Sequence, residues 1–89
     1  MRVVVADDVM LTRAGIVRLL RDAGIDVVAE AENAEELLRH VRLARPDAAI
    51  ADIRMPPTHT DEGLVAAQRI RSEHPDTGVL LLSHYVEPS

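Results

Sequence analysis

"VVVADDVM", residues 3–10, sets four consecutive apolar residues directly against two adjacent carboxylates, Asp7 and Asp8. A strand with one wet face alternates apolar and polar residues, so an unbroken run reads as a strand covered on both faces. "RVVVA" (2–6) is therefore a predicted strand, and the pattern recurs down the chain. "IDVVAEA" (25–31), "DAAIADI" (47–53) and "VLLLS" (79–83) read as three more.

Between them lie helix-like stretches. "MLTRAGIVRLLRDAG" (10–24) places Leu11, Gly15, Ile16, Leu19, Leu20 and Ala23 on one stripe, with Gly24 as a stop. Asn33 caps a second helix, with Glu36 completing a capping box; Leu37, Leu38 and Val41 face inward and Pro46 ends it. "RMPPTHTDE" (54–62) is a loop, because Pro56-Pro57 forbids a regular helix. A third helix begins near Thr60 or Asp61 and carries Leu64, Ala67 and Ile70 inward, before the turn "HPDTG" (74–78). Strict strand–helix alternation implies right-handed crossovers and an α/β fold with a parallel sheet between helical layers.

The bulk properties agree. Eighty-nine residues suit one domain, and a hydrophobic share of 47% is too high for a disordered chain. Tyr85 is the only aromatic residue, so the core is aliphatic. No apolar run reaches the ~20 residues of a membrane helix. No basic-then-apolar leader marks the chain for export, and the expected location is the cytoplasm, away from membranes. Without cysteine, disulfides and thiolate metal sites are excluded. A net charge of −5 argues against a nucleic-acid surface, and the ten Lys-or-Arg residues are all Arg.

Asp7 and Asp8 follow the first strand and Asp52 closes the third. In open parallel sheets, ligands bind beyond the carboxyl ends of the strands, where the strand order reverses. If the strand order is 2-1-3-4, strands one and three are neighbours and the three carboxylates would converge. Such a group repels itself unless it is partly protonated or holds a cation. An oxygen-only donor set on loops suits Mg²⁺, which takes one or two carboxylates, waters and a phosphate oxygen. Considered singly, Asp8 could instead cap the first helix and Asp52 brace its own loop.

With "VVADD" (4–8), "ADIRMP" (51–56) and "LLLS" (80–83) in place, the chain resembles the receiver domain of two-component response regulators, in the style of the subfamily with a helix-turn-helix output. The resemblance implies a flavodoxin-like three-layer fold and a phospho-acceptor function. Asp52 resembles the acceptor that takes a phosphoryl group from a histidine kinase. Asp7 and Asp8 resemble the residues that position Mg²⁺, with Asp52 and the backbone carbonyl of Arg54 as further ligands, and Ser83 resembles the switch hydroxyl. DNA would be reached only through an output domain absent from these residues.

The departures are equally specific. The family has a lysine and a switch aromatic on a fifth strand; this sequence has no lysine, and Tyr85 falls too early to stand in. The expectation is a partial receiver over residues 1–89, lacking the final strand and last two helices, slow or unable to accept phosphate and self-associating through residues 79–86. The alternatives are an interaction module that dimerises without phosphorylation, and a Mg²⁺-dependent phosphohydrolase. The hydrolase would need a second acid where Arg54 stands. His59 reads as a solvated loop histidine, His84 as incidental, and Ser83 has a bland reading as a strand-end hydroxyl bonding its own backbone.

Overall fold

The computed structural model describes residues 1–83. Across them β1 (Arg2–Ala6), α1 (Met10–Asp22), β2 (Asp26–Ala31), α2 (Ala34–Ala44), β3 (Ala48–Asp52), α3 (Glu62–Glu73) and β4 (Gly78–Leu82) follow in the expected alternation. The expectations attached to His84, Tyr85 and the far end of 79–86 lie outside the described residues.

All strand pairs are parallel and the order is β2-β1-β3-β4. Ala6 is paired with Ala31 on one side and Ala51 on the other, and Asp52 with Leu82. The register thus places Asp7 level with Asp52 at the carboxyl end of the sheet.

Side chains alternate across a strand, so β1 feeds two cores. Val4 and Ala6 join Ala49, Ala51, Leu37, Val41, Met55, Ala66 and Ile70 beneath α2 and α3. Val3 and Val5 join Val17 and Val27 beneath α1, with Ile16, Leu20 and Ile50 partly buried beside them. Full burial of a Val or Leu contributes roughly 1.5–3 kcal/mol, which makes the strand buried on both faces the anchor of the molecule.

Two helices sit differently from the apolar pattern. In α1 the inward line is Arg13, Ile16, Val17 and Leu20, while Leu11 and Leu19 are 84% and 72% exposed. Gly15 and Ala23 are exposed as well. Apolar residues surround this helix almost completely, so counting them leaves its rotation open. A buried arginine decides it. In α3, Ala66, Ala67 and Ile70 face inward with Gly63, and Leu64 is turned out.

The helix ends are resolved by local chemistry. Gly24, at φ 81°, closes α1: its N–H donates to the Arg21 carbonyl (3.0 Å) and that of Ile25 to the Leu20 carbonyl (2.9 Å), a Schellman ending. The Asn33 side chain accepts the Glu36 N–H at 2.8 Å, while the Glu36 carboxylate takes the N–H of Glu32 at 2.8 Å, one residue before the usual target. Before Pro46, α2 stops at Arg45 in the left-handed region, φ 47°.

Candidate functional site

The carboxyl ends of β1 and β3 bring Asp7, Asp8 and Asp52 together. Each offers a carboxylate oxygen, and these oxygens all lie within 4.8 Å of one another. Asp7 is 1% exposed and Asp52 5%; Asp8 lies nearer the rim. Two unit charges at that spacing repel by about 3 kcal/mol at an effective dielectric of ~20, so the cluster stores electrostatic work that a cation would release. The donors are hard oxygens only, which fits a small divalent ion.

Backbone bonds hold Asp7 in place. Its N–H donates to the Ala31 carbonyl at 3.0 Å, extending the β1–β2 ladder by one step. Its Oδ1 accepts the Val9 N–H at 2.9 Å, an Asx turn that bends the chain into α1. Its carbonyl accepts from Arg13 Nη1 at 2.7 Å. The N-cap of α1 is Val9, without a side-chain cap bond, so Asp8 does not serve as the helix cap. Asp52 does brace its loop: Oδ1 accepts the Arg54 N–H at 3.3 Å. That bond leaves Asp52 within the acidic group, so the two readings of this residue coexist.

On the other wall, α3 starts against the end of β3. The Gly63 N–H donates to the Ile53 carbonyl at 2.8 Å. A Cβ at Gly63 would lie 1.9 Å from the Asp52 carbonyl oxygen, so only glycine permits the approach. Before this point the 54–61 loop is tied to Glu62, which accepts from the Thr58 hydroxyl and from the N–H groups of Thr58 (2.7 Å) and Thr60 (3.0 Å). These bonds, the Thr58 hydroxyl first, lower the Glu62 carboxyl from 4.5 to about 2.

The same loop delivers His59, in the left-handed region at φ 55°, to the acidic site. Its Nε2 lies 2.9 Å from Asp8 Oδ2, and its side chain is 53% exposed. His59 is therefore half-solvated, as expected of a loop histidine, and also engaged with the rim carboxylate. It stands outside the three-carboxylate cluster. Ser83 follows Leu82, the register partner of Asp52, and is exposed at the same end of the sheet. Arg54 is exposed beside Asp52.

Arg13 and the close approach of Gly63 escape a reading of residue types. A polar residue inside an apolar helical pattern is assigned to solvent by default, and a glycine near a helix start looks like punctuation. The one available signal for Arg13 is its spacing of three and four residues before Ile16 and Val17.

A family model described as the response regulator receiver domain matches residues 3–89. Over 86 residues the sequence is 43% identical to protein-glutamate methylesterase/protein-glutamine glutaminase of Haloarcula marismortui, covering 97% of this chain and 22% of that protein. Over 89 residues it is 40% identical to the probable transcriptional regulatory protein NarL of Mycobacterium tuberculosis, covering 99% of this chain and 40% of that protein. The chain thus spans less than half the length of these curated relatives. Among solved structures, the signal receiver domain of the putative response regulator NarL from Mycobacterium tuberculosis superposes with a TM-score of 0.85 at 41% identity, over 98% of this chain and 68% of that one.

Proposed function

The chain belongs to the response regulator receiver domain family, a family of signalling domains, and on that premise we propose that it accepts a phosphoryl group on Asp52 from a histidine kinase. The observation that carries the proposal is the convergence of Asp7, Asp8 and Asp52 at the carboxyl end of the sheet, with donor oxygens within 4.8 Å. In the transfer, an Asp52 carboxylate oxygen forms a bond to phosphorus as the phosphorus–nitrogen bond of phosphohistidine breaks. The imidazole leaves with the electron pair, and the product is an aspartyl phosphate.

Little covalent work falls to the protein in such a displacement; it positions the nucleophile and offsets charge. The hydrogen bond from Arg54 N–H fixes the Asp52 carboxylate on one side. Asp8 directly, Asp7 in part through water, Asp52 and the Arg54 carbonyl are the residues that would hold Mg²⁺. When bound, that ion supplies the positive charge the three carboxylates lack and shields the incoming phosphoryl oxygens. Ser83, one residue past the register partner of Asp52, is the hydroxyl assigned to sense the phosphorylated state.

The exposed residues Val9, Met10 and Leu11, 48%, 72% and 84% accessible, adjoin the acidic pair and offer an apolar rim for a protein donor. Downstream, the proposal is control of a transcription-regulating output domain in the cytoplasm. This rests on the relative named as a transcriptional regulatory protein; the relative named as a methylesterase marks the other kind of output. No helix among the described residues is long and apolar enough to cross a membrane.

With no lysine to meet the phosphoryl oxygens, this 89-residue chain accepts phosphate slowly. Incubation with acetyl phosphate and Mg²⁺, followed by intact mass, tests both points. The expected outcome is slow gain of one phosphoryl group by the wild-type chain and none by Asp52→Asn. Equal labelling of Asp52→Asn, or no labelling of either, overturns the acceptor assignment; rapid stoichiometric labelling overturns the impairment.

A further inference from the structure

Arg13 is 9% exposed, a buried cation on a helix face otherwise built from Ile16, Val17 and Leu20. We propose that it is a positioning residue for the acidic site, holding the β1–α1 turn so that Asp7 and Asp8 both face Asp52, and thereby setting the site's affinity for a divalent cation. The inference rests on the reading of that site as an ion-binding phospho-acceptor.

The argument begins with where the guanidinium's donors go. Nη1 donates to the Asp7 carbonyl at 2.7 Å, Nε to Glu30 Oε1 at 3.0 Å, and Nη2 lies 3.8 Å from Glu32 Oε1. Asp7 is thus held at three points by different partners: its N–H by Ala31, its Oδ1 by the Val9 N–H, its carbonyl by Arg13. The first two bonds are local or belong to the sheet. The third ties the turn to a side chain within the helix that follows it. Without it, a buried carbonyl loses its charged donor and the turn loses that tie to α1, so the backbone around Asp8 relaxes and the acidic pair is held less firmly toward Asp52.

The ion pair by itself gives little reason for this residue. An apolar side chain of the same volume serves a buried helix face as well as a paired cation, or better. What an apolar side chain cannot do is bond a buried carbonyl. Nor can it place a positive charge against the backbone of Asp7, one of the three residues of the acidic group. Glu30 and Glu32 complete the arrangement: they lie at the end of β2, outside the acidic cluster, and fix the guanidinium's other edge. The geometry of the site is therefore set by a chain of contacts from β2 through α1 to Asp7. Partners of this outer kind orient ligands, and their loss commonly weakens metal binding by about 10–100-fold.

The test is a titration of Mn²⁺ into the 89-residue chain, with free Mn²⁺ read by electron paramagnetic resonance and folding checked by circular dichroism at the same temperature. Four variants are compared: Arg13→Met, which keeps an unbranched apolar stem and removes the donors; Arg13→Lys, which restores a donor nitrogen; Glu30→Gln, which removes the charged anchor; and Val17→Ala, a packing change on the same helix face. Arg13→Met is expected to bind Mn²⁺ about 10–100-fold more weakly, with Arg13→Lys recovering part of the loss and Glu30→Gln losing severalfold. Val17→Ala is expected to melt earlier but bind as the wild type does once folded. If Arg13→Met does not fold, Glu30→Gln and Arg13→Lys carry the comparison. Wild-type affinity in the Arg13 and Glu30 variants, or an equal loss in Val17→Ala, overturns the proposal and leaves the acidic site standing. Failure of the wild-type chain to bind Mn²⁺ overturns the reading of the site itself.

Discussion

Gly63 governs how closely α3 approaches Asp52. A methyl group there meets the Asp52 carbonyl oxygen at 1.9 Å and Ile53 Cα at 2.8 Å, both backbone atoms that cannot swing aside. Gly63→Ala is expected to destabilise the domain by about 1–3 kcal/mol or more, the cost of forced backbone displacement in a packed region. Gly15→Ala is the counterpart: nothing lies within 4 Å of its added carbon, and a helix-interior glycine replaced by alanine gains roughly 0.5–1 kcal/mol. Urea unfolding of the two variants checks the pair, and equal effects would contradict the close approach. At this scale the sequence is legible where charge repeats at strand ends. Asp7, Asp8 and Asp52 stand out because carboxylates have no reason to end buried strands together. His59 is legible as a loop histidine beside the acidic pocket, but its contact with Asp8 Oδ2 is not, and Arg13 does not stand out at all, since these partners are brought together by tertiary structure.

The loop between β3 and α3 is held by one carboxylate. Glu62 gathers Thr58 and Thr60, and those hydrogen bonds bring its carboxyl from 4.5 down to about 2. A group with a depressed folded-state value adds stability that is complete above its unfolded value and disappears as pH falls through the folded one. The advantage of the wild type over Glu62→Gln is therefore expected to be constant near neutrality and to shrink between pH 4.5 and about 2. The group is exposed, so the effect is small. Chemical denaturation of both proteins across that range measures it, and a pH-independent difference would refute it. Among the elements, α2 is read correctly from its cap and stripe because it is polar outside and apolar inside. α1 is misread because it carries Met10, Leu11 and Leu19 toward solvent, which makes its apolar pattern nearly uniform around the axis. In α3 the inward line runs Gly63, Ala66, Ala67 and Ile70, because Gly63 is the point of close approach to β3, and that rotation turns Leu64 outward.

At the scale of the whole molecule, the described residues cover the sheet unequally. α2 and α3 lie over one face, while α1 alone shelters β1 and β2 on the other, leaving Leu80 of β4 56% exposed and Ile50 partly so. β4 is also an outer strand among those described, with β3 its one neighbour. An unpaired apolar edge is a template for a second chain, and covering a leucine is worth roughly 1.5–3 kcal/mol. The 89-residue chain is expected to self-associate, and Leu80→Lys to return it to a monomer; light scattering across a dilution series decides, and a dilution-independent wild-type monomer would refute it. The parallel order is legible from alternation alone, whereas the unequal covering is not, because it depends on which way each helix crosses. The placement of β1 between β2 and β3 has a further consequence for how the molecule comes into being. β1 takes both of its neighbours from later in the chain, one ending at Ala31 and the other at Asp52. Until residue 52 has been made and β3 has docked beside β1, Asp7 and Asp8 have no third carboxylate to meet, so the acidic group is assembled by the closing of the sheet and not by either loop alone.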